Sequence, residues 1–444
     1  MFEFPRPVTE LIQALNRAGY EAYAVGGCVR DALLGIEPND WDLTTSATPE
    51  QVKAVFARSR VIETGMKHGT VTVLKGGVPY EITTYRKDGA YTDHRRPDRV
   101  DFVSDLREDL KRRDFTVNAM ACHPQTGLVD LFGGQEDLKN GIIRCVGTPE
   151  HRFNEDALRI LRAARFASAY DFDIEPATAE AAIRLTPTLQ NVSPERIFAE
   201  IKKLLCGKGV GRVLTKYPEI LFAVFPELAD MRGCAQHNPH HAYDVWTHTV
   251  LTIENVPADP AYRLAMLFHD SGKPARKTLG ADGYNHFKGH PAESVRIAEN
   301  ALARMKPDKA TYIFVLSLIR EHDLRIPAEP VSVKRAMARI GSELFEALFP
   351  VLRADLRGQN PAMREEKERE VNELERVFRE MIARNACVRV RDLAIGGNEL
   401  KSLGVRGPAV GQTLEALLDL VVSEKIENSP DSLLRAARAM SAEK

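Results

Sequence analysis

Asp40-Trp41-Asp42 sets two carboxylates one residue apart. Residues two apart on a strand share a face, about 6.6 Å apart along the backbone, so both side chains can converge on a pair of metal ions about 4 Å apart. Just upstream lies Gly26-Gly27-Cys28-Val29-Arg30-Asp31, a turn into a short helix. Glycine lets the backbone approach a ligand, helix-start amides attract phosphate, and Arg30 sits near that start to meet its charge. Each part alone is ordinary, since Gly-Gly turns precede many helices and Asp-x-Asp pairs often end solvated strands. Joined by one short helix, they supply what phosphoryl or nucleotidyl transfer needs.

Glu81, in Tyr80-Glu81-Ile82-Thr83-Thr84-Tyr85, stands in an apolar and β-branched run. It reads either as an edge-strand charge or as a third carboxylate for two magnesium ions, which relieve the mutual repulsion. Residues 86–99, with Asp93-His94-Arg95-Arg96-Pro97-Asp98, are polar and aperiodic and are expected to form a mobile loop above the site. In Arg112-Arg113-Asp114-Phe115-Thr116, Arg113 suits a phosphate and Asp114 a ribose hydroxyl, or the trio knots into a surface salt bridge. Residues 155–166 read as one helix on which Arg159, Arg162 and Arg165 share a face, with Glu155 and Asp156 one turn above Arg159. Intrahelical ion pairs, worth about 0.2–0.5 kcal/mol each, leave three arginines in one stripe unexplained. The fuller reading has Arg162 and Arg165 meeting phosphates while Asp156 and Arg159 present a donor and acceptor set to a base edge.

Strands and short helices must place these groups. Helical spacing marks 8–18 and 49–56; 20–25, 40–45, 61–64, 69–75 and 78–85 read as strands, the last two joined as a hairpin through Gly76-Gly77. The chain is thus α/β at its N-terminal end and mostly α after Gly141. Breaks near Gly141, at Cys206-Gly207-Lys208-Gly209, in 280–289 and at Pro361 suggest segments 1–140, 141–215, 216–360 and 361–444. Residues 362–384 are so charged that they read as a solvated connector helix.

The 444 residues have room for about two to four domains. A net charge of −1 speaks against an overall polyanion binder, so a nucleic-acid surface would need its Lys and Arg concentrated on one face. Six scattered cysteines without a Cys-x-x-Cys pair read as reduced thiols of a cytoplasmic protein. Glu3, Pro5 and Arg6 interrupt any secretory signal, and no run approaches the length of a membrane span.

In this order the motifs resemble those of class II, bacterial-type CCA-adding tRNA nucleotidyltransferases. Residues 26–31 with Asp40 and Asp42 resemble the first motif, Arg112 to Thr116 the ribose motif, and 155–166 the base-selecting helix. Ser193-Pro194-Glu195-Arg196-Ile197 resembles the neck that follows. Asp392-Leu393-Ala394-Ile395-Gly396-Gly397-Asn398-Glu399-Leu400, with Gly404, Gly407-Pro408 and Gly411, resembles the tail that grips the tRNA elbow. The resemblance implies an α/β head of the nucleotidyltransferase, polymerase-beta-like type, then a mostly helical neck, body and tail. It implies template-independent addition of C, C and A to the 3′ end of tRNA from CTP and ATP. Asp40 and Asp42 would hold two Mg2+ ions, and Gly26, Gly27, Arg30, Arg113, Asp114, Arg162 and Arg165 would contact the nucleotide. Asp156 and Arg159 would pair with the base. Residues 86–99 resemble a flexible loop absent from enzymes that add only the two cytidines, which favours the full activity.

Residues 237–355 are not needed for that reaction. His269-Asp270 closes an apolar helical run, His248 lies one helix earlier, and His286, His290, His322-Asp323 and Asp355 follow. Isolated histidines are usually packing or surface residues, but this set resembles an HD-type phosphohydrolase domain. By that resemblance His248, His269, Asp270 and Asp355 ligate a divalent metal, with His290 and His322 available for a second. Mixed imidazole and carboxylate ligands suit Ni2+, Mn2+, cobalt or iron more than magnesium. The implied chemistry is hydrolysis of a phosphomonoester or 2′,3′-cyclic phosphate, unless the domain is structural.

Rival readings keep the same head with another product: a poly(A) polymerase, or an enzyme adding only CC or only A. A chain whose main work is HD hydrolysis conflicts with the intact Asp40 and Asp42. A signal-protein uridylyltransferase would need regulatory domains after Asp355, where the remaining length is too short, and a purely tRNA-binding protein has no use for paired aspartates.

Overall fold

The computed structural model describes residues 3–89 and 100–442. The chain packs as two compact units, one running to Pro226 together with Arg304–Lys306, the other from Glu227 to Ala303 and from Pro307 onward.

In the first unit, helix α1 (Arg6–Arg17) buries Val8, Leu11, Ile12 and Leu15, the spacing of one helical face. Strand β1 (Ala22–Val25) turns at Gly26 into α2 (Gly27–Leu33), and β2 (Leu43–Thr45), α3 (Pro49–Val55), β3 (Arg60–Ile62), β4 (Thr70–Lys75) and β5 (Val78–Thr84) follow. β4 and β5 form the expected hairpin, with Gly76 and Gly77 at φ 61° and 84°, angles a two-residue turn demands and glycine adopts freely. After β6 (Arg86–Asp88), β7 (Val100–Phe102) and α4 (Leu106–Lys111) come β8 (Met120–His123) and β9 (Gly127–Asp130). All four residues of β8 are buried, so the alternation that marks a half-buried strand is missing from its sequence.

Seven strands form one mixed sheet in the order β3-β4-β5-β2-β1-β8-β9, antiparallel except for the β2–β5 pair. The end of β1, the start of β2 and the later part of β5 therefore meet side by side on the three central strands of the sheet. Two expectations change here. The strand expected over 40–45 begins only at Leu43, because Asp40 to Asp42 leave the Pro38-Asn39 turn outside the ladder, although the Val25 amide still donates to the Asp42 carbonyl at 3.0 Å. The segment expected as loop from Arg86 starts as a strand, Arg86 pairing opposite Phe102; Asp93, His94, Arg95, Arg96, Pro97 and Asp98 lie outside the described residues.

Then follow α5 (Gly134–Asn140), β10 (Ile142–Ile143), α6 (Pro149–Glu155), α7 (Leu158–Tyr170), β11 (Asp173–Ile174), α8 (Pro176–Arg184) and α9 (Pro194–Leu205). The single helix expected over 155–166 is broken: α6 stops at Glu155, and Asp156 is extended at φ −139°, ψ 105°. Its carboxylate accepts the Leu158 amide at 3.1 Å, the side-chain to backbone bond by which aspartate competes with helix.

Helices dominate the second unit. Val245–Asn255, Pro260–Phe268, His290–Met305, Lys309–Glu321 and Ser342–Gly358 surround its centre. The charged helix Arg364–Ala383 is no solvated connector. It buries Leu374, Val377, Phe378 and Met381 against Val333, Met337, Phe345 and Phe349. A smaller apolar cluster around Leu400, Leu417 and Leu433 holds the last helices together. No helix among the described residues is long and apolar enough to cross a membrane.

Candidate functional site

β2 and β5 pair Leu43 with Ile82, so one residue earlier Asp42 stands beside Glu81. Desolvation first, then the charges of Asp40 and Glu81, push the Asp42 carboxyl up to about 6 against the pull of Arg113, although the residue still reaches solvent. A bound cation relieves such crowding. The Cys28 thiol donates to the carbonyls of Val25 (3.5 Å) and Asp42 (3.8 Å), tying α2 to this backbone.

Gly26 adopts φ 81°, and a Cβ there would meet the Arg113 guanidinium at 2.7 Å. Glycine thus admits both the turn and the arginine lying over it. Arg30 is enclosed instead. It ion-pairs with Asp31 at 2.8 Å, donates to Asn118, and lies 5.0 and 4.7 Å from the ring centres of Phe166 and Tyr170.

Asp114 is buried. One carboxylate oxygen accepts from Arg162 Nε and Nη2 at 2.8 and 2.6 Å, the other from Asn118 Nδ2 at 3.0 Å and the Phe115 amide at 2.8 Å. Asp156 Oδ2 accepts from Arg196 at 2.9 Å. Arg159 donates to Glu155 (2.6 Å), to the Arg152 carbonyl (3.1 Å) and to the Arg112 carbonyl (3.0 Å). These side chains, with Arg113, wall a cavity of about 270 Å³. Arg165 turns away to Glu200 at 2.6 Å, its guanidinium 3.7 Å from the Phe166 ring centre. Sequence reading did not place Arg196 in this pocket; its only signal was membership of the motif that opens α9.

In the second unit, His248, His269, His290 and His322 each set Nδ1 against a main-chain carbonyl, of Gly358 (2.9 Å), Met266 (2.7 Å), Phe287 (3.0 Å) and Ile319 (2.7 Å). A carbonyl only accepts, so each Nδ1 carries a proton and each Nε2 is turned inward, the orientation in which a deprotonated Nε2 could ligate a metal. The Nε2 atoms converge in pairs, 3.2 Å for His248 and His269 and 3.2 Å for His290 and His322. Asp270 lies between them. Its Oδ2 is 3.3 Å from both members of the first pair, its Oδ1 3.2 and 3.6 Å from those of the second. Asp355 Oδ1 adds contacts of 3.1 and 3.6 Å to His248 and His269. Two sets of donor atoms, His248 and His269 with Asp270 and His290 and His322 with Asp270, are thereby gathered closely enough to hold a metal ion. Sequence reading did not assign Lys273, whose Nζ lies 2.6 Å from Asp270 and donates to Gln236 at 2.8 Å. A cavity of about 1180 Å³ opens over this centre. His286 stays outside the cluster, paired with Asp282 at 3.0 Å.

Residues 22–144 fit the family described as "Poly A polymerase head domain", and residues 171–231 the one described as "Probable RNA and SrmB- binding site of polymerase A". A CCA-adding enzyme of Ligilactobacillus salivarius is 48% identical over 221 residues, which cover 50% of this chain and 54% of that protein. One from Levilactobacillus brevis is 46% identical over 257 residues, 56% and 64% of the two chains. The chain therefore spans about half the length of the curated relatives it matches. The crystal structure of the Bacillus stearothermophilus CCA-adding enzyme in complex with CTP has 29% identity and a TM-score of 0.71 over 99% of both chains. The Thermotoga maritima CCA-adding enzyme complexed with tRNA shares the fold, with a TM-score of 0.60 at 20% identity over 98% of this chain and 95% of that one. By its head domain, by near-half identity across half its length and by a fold common to nearly all of it, this chain is similar to the CCA-adding enzymes.

Proposed function

We propose that the chain adds C, C and then A to the 3′ end of tRNA, taking CTP and ATP and no nucleic-acid template. One observation carries this reading: the carboxylates of Asp40, Asp42 and Glu81 gather at the central strands of the sheet near Arg113 over Gly26, and Arg113 also walls the pocket of Asp114, Asp156, Arg159 and Arg162. The relatives' name and the CTP complex of the structure at 29% identity support it.

Mg2+ held by Asp40, Asp42 and Glu81 would, when bound, activate the tRNA 3′-hydroxyl and neutralise the departing pyrophosphate. The crowded carboxylates fit such an ion. Arg113, leaning on the glycine turn, meets the triphosphate, and Arg162 presents Asp114 to the ribose. Cytosine and adenine both show an amino donor beside a ring-nitrogen acceptor, whereas uracil and guanine show a carbonyl beside an N–H. A carboxylate on Asp156 and a guanidinium on Arg159 complement the first pair and oppose the second. Arg30 and Arg165, enclosed by rings and carboxylates, share the Phe166 ring with Arg162 and steady it there.

The test is incorporation of labelled CTP and ATP into tRNA transcripts ending before CCA, after C and after CC. Extension of all three is the expected result. Cytidines alone would make it a partial enzyme, and no extension would end the proposal.

A second reading rests on the converging imidazoles. We infer that His248, His269, Asp270 and Asp355 hold one divalent ion, Ni2+ or Mn2+ by ligand type, that His290 and His322 with Asp270 suit another, and that the centre hydrolyses a phosphomonoester or 2′,3′-cyclic phosphate. Metal analysis of the purified chain, followed by phosphate release from both ester types, tests it. All six cysteines are free, in keeping with the cytoplasmic location we infer.

A further inference from the structure

Asp109 is a carboxylate with no exposed surface, set on α4 between Leu106 and Leu110, which pack into the apolar cluster of Val25, Tyr85 and Ala121. An anion placed there is unfavourable unless its oxygens are filled. They are. Oδ1 accepts from Arg112 Nε and Nη2 at 3.0 and 2.8 Å and from the Arg86 amide at 3.4 Å. Oδ2 accepts from Thr44 Oγ1 at 3.2 Å and lies 3.5 Å from Arg113 Nη2. Burial opposes ionisation, but the Arg112 and Arg113 charges outweigh it and keep the carboxyl below its ordinary range.

Its partners are unusual in what they join. Thr44 belongs to β2, two residues after Asp42. The Arg112 carbonyl receives Arg159 Nη2 at 3.0 Å, so the turn that Asp109 grips also carries the base-pocket arginine. Arg113 feels two anions: Asp109 on one side, and on the other Asp42, whose carboxyl it lowers. Were Asp109 neutral, the Arg113 guanidinium would lose the carboxylate 3.5 Å from its Nη2 and keep the attraction of Asp42.

We propose that Asp109 is a positioning residue for nucleotide binding: it holds Arg113 over Gly26 and away from Asp42, and through Arg112 it sets the backbone that orients Arg159. Asp109 has no exposed surface with which to touch nucleotide or metal. The proposal rests on the reading of the head as a nucleotide-binding site, and it acts through Arg113.

The experiment is a double-mutant cycle on the equilibrium dissociation constant for CTP with magnesium, measured calorimetrically on the full chain without tRNA, so that no turnover contributes. Asp109→Asn keeps the shape and most of the hydrogen bonding while removing the charge. In the wild-type background it is expected to weaken CTP binding about tenfold, the scale of one charge-assisted hydrogen bond. In an Arg113→Ala background it is expected to change binding little, because the group it positions is gone. Thr44→Val removes the hydroxyl that Oδ2 accepts from, along with its 3.2 Å contact to the Thr83 carbonyl, and serves as the second variant if Asp109→Asn folds poorly; it is expected to shift binding in the same direction, again only when Arg113 is present. Equal losses in both backgrounds would mean a merely structural carboxylate and would overturn the proposal. Unchanged CTP affinity for both variants would overturn it too. A wild-type chain that binds no CTP would instead sink the reading of the head on which this rests.

Discussion

At the scale of single residues, the partner of each charge decides what its loss does. Asp42→Ala removes a carboxylate from the set beside Glu81, and nucleotide incorporation is expected to fall at least about a thousandfold, while tRNA binding by filter retention stays nearly intact. Retained incorporation would remove the metal-holding role. Arg159→Ala deletes one half of the base-edge pair but leaves Arg113 and Arg162, so misincorporation of GTP and UTP is expected to rise more than triphosphate affinity drops. Unchanged selectivity would contradict that role. Asp114 gives a pH prediction. Burial pushes its carboxyl up, yet Arg162, Asn118 and Arg159 prevail and hold it well below the usual range. Its stabilising contribution is therefore complete above the unfolded value of about 3.9 and is lost as acid drives the pH down toward the lower folded value. Asp114→Asn is expected to cost about 3 kcal/mol at neutral pH, and its urea midpoint is expected to change less than the wild type's between pH 7 and pH 3. Charges and spacing were legible in the sequence, but partners were not. Arg30 sits where a phosphate contact is expected, and the rings that enclose it come from Phe166 and Tyr170, far along the chain.

At the scale of elements, strong local signals held and cooperative ones did not show. The hairpin through Gly76-Gly77 and the amphipathic α1 were readable because turn chemistry and helical period are local. β8 was missed because a fully buried strand lacks alternation, and the break at Asp156 because three arginines in helical register hid one aspartate whose side chain bonds the Leu158 amide. The helix Arg364–Ala383 shows the same masking: Leu374, Val377, Phe378 and Met381 hold one face while the surrounding charges suggest a solvated rod. Phe378 is fully buried and stacks on Phe345 at 5.0 Å between ring centres. Phe378→Ala is expected to destabilise the second unit by about 3–5 kcal/mol. Of the two tryptophans, Trp246 is buried in that unit, so its fluorescence in a Trp41→Phe background reports the shift in denaturant midpoint. A shift below about 1 kcal/mol would restore the connector reading.

At the scale of the whole molecule, the two candidate centres are each made from residues of one compact unit. His269→Ala is expected to lower the transition-metal content of the purified chain, by the ion assigned to His248, His269, Asp270 and Asp355, read by elemental analysis, and to leave CTP and ATP incorporation at the wild-type level. Loss of both would tie the second centre to the first reaction. The chain's order of motifs marked both sets of candidate residues, because each ligand type stands in a recognisable local context; the carbonyls that orient the imidazoles could not be read there. Those carbonyls carry a consequence. Gly358, Met266, Phe287 and Ile319 belong to different segments of the second unit, and only when all are folded do the four imidazoles point inward. The unfolded chain has no equivalent cage. An ion lodged there would be a rivet: selective for the native state alone, it would raise the unit's melting temperature in proportion to the logarithm of its own concentration, so that metal supply would govern how long this half of the molecule endures.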